Sequence, residues 1–163
     1  MINYRYISNS ILPMNTSYKT FFSMIATSSV LMYAAMYLNT YSLDHVLFSE
    51  MRLYMNGLMT AIMAVVMLWF MRHMYTNRKV NTYIVTGSIL LFSLSLFLVR
   101  SQALVDQIDY MEAMIPHHSI AILTSERANI SDPRVRQLAD EIIEAQRKEI
   151  AEMKSLIAEL KNN

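Results

Sequence analysis

The chain has 163 residues, 54% of them hydrophobic and 17% charged, with a formal net charge of +1. That balance provides no basic stripe for nucleic acid, and two glycines and three prolines are too few for a turn-rich β protein. The absence of cysteine excludes disulfides and thiolate metal sites, which leaves an all-α chain with an unusual endowment of 15 methionines.

Residues 1–13 carry no recognisable feature, and Met14 is an alternative start. Beyond them the pattern is that of a membrane. A helix needs about 20 mostly apolar residues to cross a bilayer. Three stretches approach that length: about Phe21 to Leu38, about Leu53 to Met71 and about Tyr83 to Val99. Tyr33, Tyr37, Tyr41, Tyr54, Trp69, Tyr75 and Tyr83 cluster toward their ends, as interfacial anchors do. No small-residue cleavage site follows the first stretch, so it does not read as a signal peptide.

The second stretch carries a methionine ladder, Met51, Met55, Met59, Met63, Met67 and Met71, each four residues after the last. It reads either as an adaptable packing ridge or as a thioether relay for Cu(I) or Ag(I). The lack of an ionisable residue in mid-span favours packing. Gly57 and Ala61 offer a small face for close helix approach.

Charge sets the expected orientation. Arg5 and Lys19 precede the first span, and Arg72, His73, Arg78 and Lys79 lie between the second and third. Asp44, His45, Glu50 and Arg52 occupy the first loop, and Asp106, Asp109 and Glu112 follow the third span. Basic segments alternate with acidic ones, which predicts a cytoplasmic N-terminus and an extracytoplasmic tail, periplasmic in a bacterial inner membrane. The expected organisation is a cytoplasmic segment over 1–19, a three-helix membrane region over 20–100 and a helical hairpin over 101–163.

No Gly or Pro separates Val99 from Ile115, so the third span is expected to run on as one helix. His117 would then sit about 25–30 Å beyond the span. Ser131-Asp132-Pro133 predicts a helix restart, a capping side chain followed by Pro at the first helical position. The second tail helix is predicted to reach about Leu160, with an apolar seam of Val135, Ala139, Ile142, Met153, Leu156 and Leu160. Gln146 and Glu149 interrupt that seam.

The tail also holds the run Asp109-Tyr110-Met111-Glu112-Ala113-Met114-Ile115-Pro116-His117-His118. On a helix Met111, Met114 and His118 lie within about 60° of one another, with His117 on the flank. Two thioethers and two imidazoles suit a soft cation such as Cu(I) or Ag(I), not Mg²⁺ or Ca²⁺. Pro116 predicts a kink. The plainer alternative is that the methionines are core and the histidines are solvated or hydrogen-bonded. An antiparallel hairpin would bring Gln146 and Glu149 opposite, either to orient a histidine from its far side or to fix helix register. His45 could join a site on that side of the membrane; His73 lies on the other.

The segment from Asp106 to about Lys161 resembles the domain-of-unknown-function 305 family. The resemblance rests on Tyr110-Met111, on Met114-Ile115-Pro116-His117-His118, on Ala121-Ile122, and on Gln146, Glu149-Ile150 and Met153. It implies a ferritin-like bundle and, by analogy with copper- or silver-binding members, ligation by Met111, Met114, His117, His118 and Met153. Thr124 and Leu156 depart from the family's frequent Met and Trp. A membrane-anchored subgroup with three spans is similar over nearly the whole chain.

No Glu is followed three positions later by His, as a di-iron or di-manganese bundle would need. There is likewise no His-Glu-x-x-His, phosphate loop or nucleophile elbow. Together with the resemblance, which implies the ferritin-like fold, the sequence predicts a non-enzymatic, multi-pass membrane protein whose hairpin is completed to a four-helix bundle by homodimerisation or a higher homo-oligomer, or packs on a partner. It would bind copper or silver ions, without an organic cofactor, for metal tolerance or delivery, with a copper-handling protein as a further partner. The competing class is a membrane-anchored interaction module with no metal role.

Overall fold

The computed structural model describes residues 14–162. Among these, five helices follow in order: α1 (Met14–Ala35), α2 (Glu50–Phe70), α3 (Arg78–Ser101), α4 (Gln107–Arg127) and α5 (Pro133–Lys161). A short 3-10 turn, Leu43–His45, lies between α1 and α2, and no strand is present among the described residues. Arg5 lies outside them, and the expected 1–19 segment is described only from Met14, where α1 already begins.

Among the described residues two helices, α2 and α3, are long and apolar enough to cross a membrane, rather than the three expected. α1 has the length, but Asn15 and Lys19 near its start and the run Thr27-Ser28-Ser29 dilute its apolar character. Only 17% of the apolar stretch of α2 and of α3 is buried in the protein. A soluble core helix would be mostly covered; these leave Ile62, Val66, Trp69, Phe70, Leu90 and Phe97 exposed, a band that water disfavours.

Small and hydroxylated residues let these helices approach. Ala61 and Ala64 of α2 and Ser88 and Ser95 of α3 are buried, and a Cβ on Gly57 would stand 2.6 Å from Ser95 Oγ. On the other side of α2, Asn56 Nδ2 donates to Ser29 Oγ at 2.8 Å, and Thr60 Oγ1 donates to the same oxygen at 3.0 Å. Met67 and Met71 pack on the cluster of Phe21, Ala64, Leu68, Tyr75 and Ile84, so this part of the methionine ladder fills gaps between helices. At that end Tyr18 Oη donates to Asn81 Oδ1 at 2.8 Å, and Asn77 N–H donates to Tyr18 Oη at 3.1 Å.

α3, the last of the apolar helices, does not continue into the tail. α3 stops at Gln102, whose φ of 54° is left-handed. α4 starts afresh at Asp106, whose carboxylate accepts from Ile108 and Asp109 N–H at 2.7 and 2.9 Å. Asp109 returns the bond to Asp106 N–H, completing a capping box. From there α4 runs unbroken through Pro116.

Asp132 caps α5 ahead of Pro133, as the restart signal predicts. α4 and α5 pack around Ile115, Ile122 and Ile150, with Ile143, Met153 and Ile157 alongside. The buried face of α5 is thus Ala139, Ile143, Ile150, Met153 and Ile157, turned from the expected seam. Val135, Ile142 and Leu156 are exposed, and Gln146 is half-buried. Leu47, from the α1–α2 connector, packs on the same cluster.

That connector is the hairpin's third wall. Ser119, fully buried on α4, accepts Tyr41 N–H at 2.7 Å and meets His45 Nδ1 at 3.0 Å. Arg147 bridges Glu126 (2.6 Å) and Tyr41 Oη (3.4 Å), and Lys154 pairs with Asp44 at 2.5 Å.

Candidate metal centre

Met111, Met114 and His118 leave one side of α4 at spacings of three and four, which aligns them on a helix surface. Across the hairpin, Glu149 and Met153 leave α5 one turn apart. All five line a single open cavity of about 700 Å³ between the two helices. Met111 is 7% exposed, Met114 is half-buried, and Met153 also touches the Ile115–Ile150 core. Tyr110 and Leu156 add apolar wall, and Glu152 and Glu159 add carboxylates at the rim. Three thioethers therefore share one space with one imidazole.

His118 is held from both sides. Its Nδ1 lies 2.9 Å from Met114 O and its Nε2 2.7 Å from Glu149 Oε2. Both ring nitrogens therefore already face an oxygen partner. The Met114 carbonyl thus partners Nδ1, and Glu149, expected opposite this histidine, partners Nε2. Gln146 does not line this cavity.

His117 separates from the others. Successive helical side chains diverge by about 100°, and the two histidine rings sit 6.3 Å apart at 70°. His117 is exposed and lines a neighbouring cavity between α4 and the start of α2, of which Met114 forms part. The structure thus brings Met111, Met114, His118, Met153 and Glu149 together and leaves His117 and Gln146 apart. Among the described residues no three His, Asp or Glu side chains gather closely enough to hold a metal.

His45 is not among the residues that line either methionine-bearing cavity. It meets the buried Ser119 and, at 3.7 Å, the exposed carboxylate of Asp44. Although its composition is Ser-His-Asp, Ser119 is fully buried and its oxygen already accepts Tyr41 N–H; the geometry is that of a latch, not of an exposed nucleophile. Burial lowers the pKa of His45, Lys154 lowers it further and Asp44 opposes both. The Lys154 ammonium and then the Ser42 hydroxyl hold the Asp44 carboxyl well below the usual carboxylate range. Sequence reasoning missed this cluster, since Ser119 lies 74 residues from His45 and neither stands in a motif.

Residues 106–163 match the family described as "Domain of unknown function (DUF305)". A protein of Acanthamoeba polyphaga mimivirus described as "Uncharacterized protein L153" is 32% identical over 145 residues, covering 85% of this chain and 94% of its own length. That alignment is longer than the tail, so the likeness extends into the apolar helices. No solved structure matches the chain.

Proposed function

We propose that this chain, which belongs to the DUF305 family, is a membrane-anchored binder, not an enzyme, that captures Cu(I) or Ag(I) in its C-terminal hairpin. The observation that carries the reading is the convergence of Met111, Met114, Met153 and His118 on one cavity. Thioether sulfur and imidazole nitrogen are soft and borderline donors, suited to monovalent coinage-metal ions. Methionine side chains are long and flexible enough to close on an ion from an open groove. To bind at Nε2 the ion displaces the hard carboxylate of Glu149, while the Met114 carbonyl keeps the ring oriented through Nδ1.

In this reading α2 and α3 cross the bilayer, with α1 beside α2 as a third, more polar helix. The poorly buried apolar faces of α2 and α3 support a lipid environment. Arg72, Arg78 and Lys79 cluster at one end of these helices, which supports a cytoplasmic location for that end. The acidic connector and tail, packed together at the other end, then lie outside the cytoplasm, in the periplasm if the membrane is a bacterial inner membrane. A second copy of the chain and a copper-handling protein are the partners this role would use.

Titration of the purified protein with Ag(I) tests the assignment. His118→Ala, and separately the combined Met111→Leu, Met114→Leu and Met153→Leu variant, are expected to weaken binding at least about tenfold while helix content is kept. Unchanged affinity in both would overturn it. One observation favours a second reading, a helical interaction module: His118 already has a partner on each nitrogen and can serve to pin α4 to α5. That reading predicts no saturable Ag(I) binding at all.

A further inference from the structure

A second cavity, of about 330 Å³, lies where the hairpin meets the apolar helices, between the start of α2 and α4. Its lining includes Met51 and Met114, the exposed His117, the carboxylates of Glu50 and Asp109, and Arg52. One feature suggests a cation: Glu50 Oε2 is buried with no hydrogen-bond partner among the described residues, although the residue as a whole is half-buried and Tyr54 bonds its carboxyl group; an oxygen left so costs free energy unless something compensates it. Arg52, the one Lys or Arg in the lining, lies over the Tyr37 ring with its guanidinium carbon 4.2 Å from the ring centre, and its Nη1 is likewise buried without a partner among the described residues.

Resting on the function proposed above, we infer that this junction is a second position for a soft monovalent cation, held by Met51, His117 and Met114 with Glu50 as charge partner. The donor set repeats the chemistry of the hairpin cavity, sulfur with imidazole, and includes too few oxygen ligands for Mg²⁺ or Ca²⁺. Met114 belongs to the walls of both cavities. An ion leaving Met111, Met153 and His118 can therefore keep one sulfur contact while it gains His117 and Met51. Met51 is the first rung of the α2 ladder, so the junction places the tail's cargo at the head of a membrane helix. This also gives His117 a role that the hairpin cavity does not.

The test uses the full chain in detergent or nanodiscs, with ¹³C-methyl methionine and ¹⁵N-histidine labels and Ag(I) as the probe. In the unsubstituted protein, Ag(I) is expected to shift the Met51 methyl and the His117 ring as well as Met111, Met153 and His118. In Met111→Leu/Met153→Leu the Met51 and His117 shifts persist; in Met51→Leu/His117→Gln the hairpin shifts persist and the junction takes up no ion. Saturation that moves Met111, Met153 and His118 while Met51 and His117 stay still overturns the second position and leaves the first standing. No shift at any of the five overturns both. Because the unsubstituted chain gives the decisive readout, a variant that folds poorly does not blunt the test.

Discussion

Replacing Ser119 by Ala should loosen the connector from the tail. The hydroxyl is fully buried, accepts Tyr41 N–H at 2.7 Å and faces His45 Nδ1 at 3.0 Å. Alanine leaves both groups without that partner, and a buried polar group deprived of its bond costs about 1–3 kcal/mol. Tyr41 is 39% exposed, so water can reach its N–H and recover part of the loss; the His45 side chain is 12% exposed and recovers less. A net cost of about 2 kcal/mol follows, equivalent to roughly a 30-fold rise in the opened population of the connector. Amide hydrogen exchange reads that population directly. Val46 and Leu47 are suitable reporters, since their N–H groups donate to Leu43 O and His45 O at 3.1 Å within the same turn. Their exchange should quicken by about that factor in Ser119→Ala while α3 amides are unaffected. A change below about threefold would mean that the Ser119 contacts do not hold the connector, and the latch argument would fail.

Acidification should weaken the same latch. The docked His45 has its pKa lowered from 6.5, chiefly by burial, so the undocked connector binds the extra proton first. Docking is then at full strength above about pH 6.5, declines as pH falls from there toward the lower docked value, and levels off below it. Exchange at Val46 and Leu47, corrected for intrinsic rate, should follow this course, and His45→Gln should flatten it. In the apolar region, Gly57→Val should cost about 1–3 kcal/mol, because its side chain would press on Ser95, whose Oγ lies 2.6 Å from a Cβ at that position. Gly87→Val is the control, with nothing within 4 Å of its Cβ; thermal unfolding in detergent should separate the two, and equal losses would refute close packing of α2 on α3.

Much of this architecture was legible because local chemistry dictates it. Asp132-Pro133 marks the start of α5, and the three- and four-residue spacings of Met111, Met114 and His118 place them on one side of α4. The break before α4 was legible too, in the reciprocal pair Asp106 and Asp109, but a helix read only for Gly and Pro runs straight through it. The buried face of α5 was misjudged because Val135, Ile142 and Leu156 are apolar enough to imitate a core. Which of several apolar stripes is buried depends on the facing helix, here on Ile115 and Ile122. The His45–Ser119 contact joins residues far apart in sequence and has no local signature. His117 and His118 are neighbours in sequence, yet helical geometry alone sends them to different cavities.

The left-handed residue at Gln102 changes what counts as a transplantable unit. Had α3 run on into α4, the cavity's position and heading would be fixed by a single rod, and the tail would move rigidly with α3. With a joint there, the connector determines the tail's placement, contributing Leu47 to its core and Tyr41 and His45 to its fastening. A chimera that moved residues 106–163 onto foreign helices would therefore carry Met111, Met114, His118 and Met153 but arrive without the brace that orients the hairpin.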